Sequence, residues 1–239
     1  MMKRPHRSQG PMNREDIRKK YWMPLEGRHK TGAWGVLDAG YTEGHRAYHT
    51  WEHIAGLLEK LSDFSDLSTR PELIAVSAFW HDAVYRTQNH DGSPRPDYEN
   101  VRDSAELFRR YTLLNQPDAD AVYDLIMATA NHLQARAEKQ YYAGFAGDLD
   151  LFLDLDLSSL ASPWEEFAEH LAQIRNEFSW APAVVFYSIH LRILENFAKQ
   201  NMRLFRRAET SEKWGDDARS NLKRCITELT KKIAGLSLV

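Results

Sequence analysis

Two histidines four residues apart, His49 and His53, stand in the run Arg46-Ala-Tyr-His-Thr-Trp-Glu-His-Ile-Ala-Gly56. On a helix such a pair shares one face, so both imidazoles can converge on one cation. A second pair, His81-Asp82, interrupts the apolar run Phe79-Trp80-His-Asp-Ala-Val-Tyr85. Burying an imidazole beside a carboxylate costs on the order of several kcal/mol unless the two are paired or bind a metal. Asp154 and Asp156 sit in a further apolar segment. The single cysteine, Cys225, leaves no thiolate-rich zinc site and no intramolecular disulfide. Imidazole nitrogen and carboxylate oxygen without sulfur suit a divalent ion: zinc, iron, manganese, cobalt or magnesium. On these residues alone a blander arrangement stays open, in which His81 and Asp82 satisfy each other and the backbone.

The elements that must position these groups read as helices. Asn13 caps a short helix running to about Met23. Residues 24–44 hold Pro24 and five glycines and read as a loop-rich connection. A helix is expected from His45, with Ile54, Leu57, Leu58 and Leu61 as its apolar stripe. Pro71 opens the next, nearly all apolar to Tyr85 and therefore central. Residues 87–97 read as a polar surface loop, followed by helices at about 98–112 and 117–134. Residues 147–160 alternate polar and apolar, yet a helix is preferred because no partner strand is evident. Helices from Pro163 to about Phe178, and over roughly 183–206 and 209–235, complete the chain. The stripe Val185, Ile189, Ile193 and Phe197, widened by Phe186 and Leu194, marks the buried face of the first of the last two. Arg192 lies within that stretch. Trp51, Trp80, Trp164, Trp180 and Trp214 are assigned to the core or an interface.

The formal net charge of −3 over 239 residues gives no electrostatic case for a stable nucleic-acid complex. Basic residues cluster in 1–30, expected to be a partly disordered lead-in with a short helix. Pro5, Gln9, Gly10 and Pro11 follow the basic start where a signal peptide needs an apolar core. No apolar run is long enough to span a bilayer, so no membrane partner is expected. A reducing, cytoplasmic setting and one all-α domain over residues 31–239 complete these expectations.

The ordered set of motifs resembles the HD-domain superfamily of metal-dependent phosphohydrolases, and most closely its small bacterial branch. The pieces are Arg46-Ala-Tyr48-His49 with His53-Ile54, Phe79 to Tyr85, Asn100 with Ser104-Ala105, Ala128-Thr129 with His132, Asp154-Leu-Asp156-Leu157, Ile174 to Phe178, and Arg192 with Leu194. Together they span roughly residues 41–205. The resemblance implies a compact helical bundle with His53, His81, Asp82 and Asp156 as metal ligands. Asp154 is the rival of Asp156; on a helix the two point about 200° apart, so only one can reach the ion. His49 is implied as proton donor to the leaving group, forming the catalytic group with Arg46 and Asp82; its alternative is to orient a neighbour. Arg46 and Arg175 are candidates for the substrate phosphate, since guanidinium matches its oxygens. His132 is a candidate for a second metal or for phosphate, or simply caps a helix. The branch carries an acidic residue directly after the Asn that matches Asn100. Here that position is Val101, with Glu99 on the other side, which puts turnover in question.

The implied activity is hydrolysis of a phosphoester of a nucleotide or other small phosphorylated metabolite by a metal-activated water. Two alternatives accompany it: a di-iron oxygenase on the same fold, and a metal- or nucleotide-binding module with weak catalysis. Whether the chain forms a homodimer is left open.

Overall fold

In the computed structural model, residues 12–133, 146–199 and 203–236 are described. They form ten α-helices with short 3-10 and π turns, and no β-strand among the described residues. A central helix, α4 (Pro71–Trp80), explains the arrangement. Its residues Leu73, Ile74, Val76, Ala78, Phe79 and Trp80 are all buried, so it has no polar face to offer water. Around it pack α3 (Trp51–Asp63), α5 (Asp97–Tyr111), α6 (Gln116–Ala128) and α7 (Ala146–Asp156). Preceding them in the chain are α1 (Arg14–Ile17) and α2 (Ala33–Tyr41); following them are α8 (Trp164–Glu177), α9 (Ala183–Phe197) and α10 (Ala208–Leu236). Residues 147–160 are helical, as expected, ending in a 3-10 turn over Leu157–Ala161.

Several expectations are corrected. Of the lead-in 1–30, residues 1–11 lie outside the described residues. Residues 14–28 are helical turns whose Ile17, Trp22 and Leu25 are buried in the common core. The connection 24–44 contains α2, whose Ala33, Leu37 and Tyr41 bury one face at i, i+4 and i+8. Its glycines argued for a loop, but Gly40 is there for proximity. A Cβ at that position would lie 2.6 Å from the Ala83 carbonyl oxygen, so α2 can approach the turn after α4 only with glycine.

The helix expected from His45 starts at Trp51, with Thr50 as its N-cap. His49 therefore lies in the turn before α3, not one turn below His53 on a shared helix. Likewise α4 stops at Trp80 rather than Tyr85. The carbonyls of Asp82 and Ala83 are taken by the Arg46 guanidinium at 2.7 and 3.0 Å, and Ser104 Oγ pairs with Val84 N at 3.0 Å, which draws the chain off the helix axis.

The helix expected over 117–134 ends at Ala128 with a 3-10 turn to Asn131, and α9 ends at Phe197; residues 134 and 200–202 lie outside the described residues. On α9 the buried face is Phe186, Tyr187 and Leu194, whereas Val185, Ile189 and Ile193 are exposed, as is Arg192. No described helix is long and apolar enough to cross a membrane.

Candidate metal centre

The ends of α3, α4 and α7 meet at one point. His53 comes from the first turn of α3, His81 and Asp82 from the C-terminal end of α4, and Asp156 from the last residue of α7. The Nε2 atoms of His53 and His81 are 3.2 Å apart. Asp82 Oδ2 lies 3.0 Å from His81 Nε2 and 3.6 Å from His53 Nε2. Asp156 Oδ1 lies 3.2 Å from His53 Nε2 and 3.5 Å from His81 Nε2. Donors about 2.1 Å from a shared ion stand about 3.0 Å apart in octahedral and about 3.4 Å apart in tetrahedral geometry. The five distances fall around those values; His53, His81 and Asp82, whose donor atoms all lie within 4.8 Å of one another, fit a divalent cation, with Asp156 beside the two histidines.

The tautomer agrees. His81 Nδ1 is 2.9 Å from the Ala78 carbonyl oxygen, which can only accept, so Nδ1 carries its proton and the Nε2 lone pair points into the cluster. Without an ion the charges rearrange. Burial pushes the Asp82 carboxyl up, but the His81 charge and hydrogen bond outweigh it and hold the group below the usual carboxylate range. The same balance of burial against His81 and His132 lowers Asp156 further. Burial disfavours the His81 imidazolium, yet the charges of Asp82 and Asp156 raise its pKa well above the ordinary value. A cation entering between these groups would therefore compete with a proton for the same lone pair.

The aspartates of residues 148–156 divide their work, which separates Asp156 from its rival. Asp148 accepts from Thr69 N and Arg70 N at 2.9 and 3.1 Å and anchors the start of α4. Asp154 is turned away from the cluster. It accepts from the backbone N–H groups of Arg206 and Arg207 at 2.7 and 2.9 Å, and from the Thr210 hydroxyl, at the start of α10. Only Asp156 reaches the histidines.

His49 faces the same space from the turn before α3. Its Nδ1 is 2.7 Å from Glu177 Oε2, and its ring stacks on Tyr85 at 3.7 Å. Glu177 Oε1 accepts the backbone N–H groups of Ala47, Tyr48 and His49 at 2.9, 2.9 and 3.0 Å. Burial raises the Glu177 carboxyl, but the His49 hydrogen bond and charge and these amides bring it down to about 2. Burial lowers His49; the Glu177 hydrogen bond and the Asp82 charge more than reverse this, and its pKa is raised. Glu177 was not assigned a role from the sequence. A signal was present: an acid at a helix C-terminus opposes the helix dipole and needs compensation from elsewhere.

His132 Nε2 lies 2.7 Å from Asp156 Oδ2, the oxygen turned away from His53 and His81. Asp97, in the first turn of α5, also lines the site, one helical turn before Val101. The residue is solvent-exposed at the cleft mouth, yet burial of its carboxyl among protein atoms, then the Asp82 charge, raise its pKa. An acid opening a helix looks like ordinary dipole complementarity, which hid it in the sequence. Glu99 is held by Arg95 at 3.3 Å instead.

The two arginines are corrected. The Arg46 side chain is fully buried and bonded to Glu43 and to the carbonyls of His49, Asp82 and Ala83. It braces the loop carrying two of the clustered groups and has no face left for phosphate. Arg175 donates to the carbonyls of Phe178 and Ala181 and stacks on Phe186, closing the end of α8.

Over the cluster opens a cleft of about 210 Å³, walled by α8, α9 and the 3-10 turn after α7. A recess of about 450 Å³ adjoins it across Tyr48, His53 and Asp156 and is lined by Lys60, the one lysine or arginine on either surface among the described residues. No protein-family model matches the chain, and no curated protein matches it.

Proposed function

We propose that this chain is a metal-dependent phosphohydrolase of the HD-domain type, acting on a nucleotide or another small phosphorylated metabolite. The observation that carries the reading is the convergence of His53, His81, Asp82 and Asp156, from three helix ends, beneath an open cleft. A divalent cation held by these four would acidify water and polarise a phosphoryl oxygen. The chain's own groups supply the rest. Glu177 favours the protonated form of His49 and fixes its ring, so that Nε2 can deliver a proton to the departing alcohol oxygen. Asp97, with its raised pKa, takes the proton that water loses as the new P–O bond forms and the ester bond breaks. It supplies the carboxylate that Val101 does not. Lys60, on the adjoining recess, replaces Arg46 and Arg175 as the lysine or arginine available to phosphoryl oxygens. A cytoplasmic setting fits the lone buried Cys225, whose thiol burial pushes up to about 11.

The test is metal analysis of protein purified without chelator, followed by a phosphoester panel with that metal restored. Stoichiometric metal and turnover of at least one ester are expected; a chain that binds no divalent ion ends the proposal. A second reading, the di-iron oxygenase, is favoured by one feature. Asp156 turns Oδ1 to His53 and His81 and Oδ2 to His132, as a carboxylate between two ions would. Two irons per chain with oxygen uptake would select it.

A further inference from the structure

The wall of the cleft opposite the ligand cluster takes no part in the chemistry above. On α8, Phe167, Leu171 and Ile174 recur at helical spacing, and on α9 His190, Ile193, Leu194 and Phe197 do the same. Both stripes line the cleft. Apolar stripes ordinarily close against a neighbouring helix. Here Leu171, Ile174 and Phe197 stay half-buried and Ile193 is 43% exposed. Val101 and Leu157 carry the apolar surface down to the ligand cluster. Concave apolar surface with a few convergent polar groups is how proteins hold small organic ligands.

His190 is the polar member of the cleft-lining stripe on α9. Its ring stacks on Phe186 at 5.4 Å, and it has no hydrogen-bond partner among the described residues. Burial pushes its pKa down to about 4, so at neutral pH it offers one N–H and one lone pair, not a charge.

From this wall we infer that the cleft selects a phosphoester whose alcohol is a compact apolar group carrying one hydrogen-bonding substituent. The phosphoryl end meets the cluster of His53, His81, Asp82 and Asp156. The apolar body lies between α8 and α9, and the substituent pairs with His190. The phosphoryl half rests on the phosphohydrolase reading; the apolar half does not.

Calorimetry with Mn²⁺ present separates the two, using methylphosphonate, hexylphosphonate, ω-hydroxyhexylphosphonate and AMP as probes. Hexylphosphonate is expected to bind about tenfold or more tighter than methylphosphonate, by burial of its extra methylenes. The ω-hydroxyl should tighten binding further in the native protein and confer nothing in His190→Phe. Ile193→Ser, at a partly exposed position that folding tolerates, should weaken hexylphosphonate several-fold and leave methylphosphonate unchanged. Equal affinity for the methyl and hexyl probes, or a preference for AMP, would overturn the inference even if AMP or methyl phosphate is hydrolysed. Tight hexylphosphonate binding without hydrolysis of hexyl phosphate or any other ester would instead sink the phosphohydrolase reading and leave the apolar pocket standing.

Discussion

Residues 80 and 81 sit side by side in the chain, and each is bound up with a buried imidazole of opposite character. Trp80 donates its indole N–H to His29 Nε2 at 3.1 Å, while His29 Nδ1 faces the Leu25 carbonyl at 3.0 Å. Trp22 stacks on the same ring at 4.4 Å. Both nitrogens of His29 are therefore satisfied by one donor and one acceptor, which only the neutral ring allows. His81 begins in the same way, with Nδ1 on the Ala78 carbonyl. Its Nε2, however, meets no donor. It meets the carboxylates of Asp82 and Asp156 and the Nε2 of His53. A ring closed by a donor is finished; a ring whose second nitrogen faces acceptors needs a cation, proton or metal, to complete it. The difference between a core histidine and a candidate ligand histidine here is one partner atom.

The largest effect should come from exchanging the fates of these two rings. His81→Ala is expected to abolish metal retention, and with it all hydrolysis, because it removes one donor and the group both carboxylates lean on. His29→Ala should leave metal content at the native level and act on stability alone, by about 2–4 kcal/mol for a stacked, hydrogen-bonded core side chain. Metal analysis beside a denaturant melt reads both. Metal retained by the His81 variant, or lost from the His29 variant, breaks the contrast.

Next in size is a pH effect of the closed His29 ring, to which His190, also held down to about 4 by burial, adds its own share. Burial pushes the His29 pKa down to about 4, against about 6.5 in the unfolded chain. Between those values the unfolded state binds the proton that the folded state refuses. The stabilisation is thus fully present above about pH 6.5 and is lost as pH falls toward 4, by about 3 kcal/mol at most. The native protein should lose stability across that window faster than His29→Phe, measured by urea melts at several pH values. Parallel curves for the two proteins would show that the ring is not held neutral.

A smaller effect is expected at Gly40, which couples the N-terminal region to the ligand-bearing turn. Gly40→Ala places a methyl 2.6 Å from the Ala83 carbonyl oxygen, next to the Arg46 guanidinium. The turn after Asp82 must shift, at a cost of about 1–3 kcal/mol, and turnover should fall with stability. An alanine variant as stable as the native protein would mean that α2 can back away freely.

How much of this was legible in the sequence depended on contrast with surroundings. His53, His81, Asp82 and Asp156 were conspicuous as polar groups in apolar helices, and the structure brings the four together. Helical geometry required that Asp154 and Asp156 diverge, but not which one turned inward, since the N–H groups that claim Asp154 lie more than fifty residues on. Arg46 misled because its partners are mainly backbone carbonyls, which no side-chain pattern advertises. The bond between His49 and Glu177 joins residues 128 apart, beyond any local pattern. On α9 apolar residues occur on nearly every side, so periodicity marked Val185, Ile189 and Ile193 as core although they are exposed. The glycines of α2 argued against a helix that exists because one of them, Gly40, permits close contact.

The two aspartates on α7 give the finest version of the comparison, since they share a helix, an apolar setting and neighbouring positions. Asp154 meets two N–H groups and a hydroxyl, all donors, as His29 meets its partners. Burial raises its pKa, and those hydrogen bonds oppose the rise without cancelling it. Asp154→Asn keeps one accepting oxygen for the start of α10 but turns an N–H toward the remaining donors. A loss of about 1–2 kcal/mol follows, with metal content unchanged. Asp156→Asn keeps its size and polarity too, yet it removes a negative charge from a cluster of imidazoles. It should cost metal affinity while leaving the apoprotein folded. The pair of isosteric variants therefore separates a cap from a ligand without changing packing, and if both lost metal equally, the inward turn of Asp156 would not be what holds the ion.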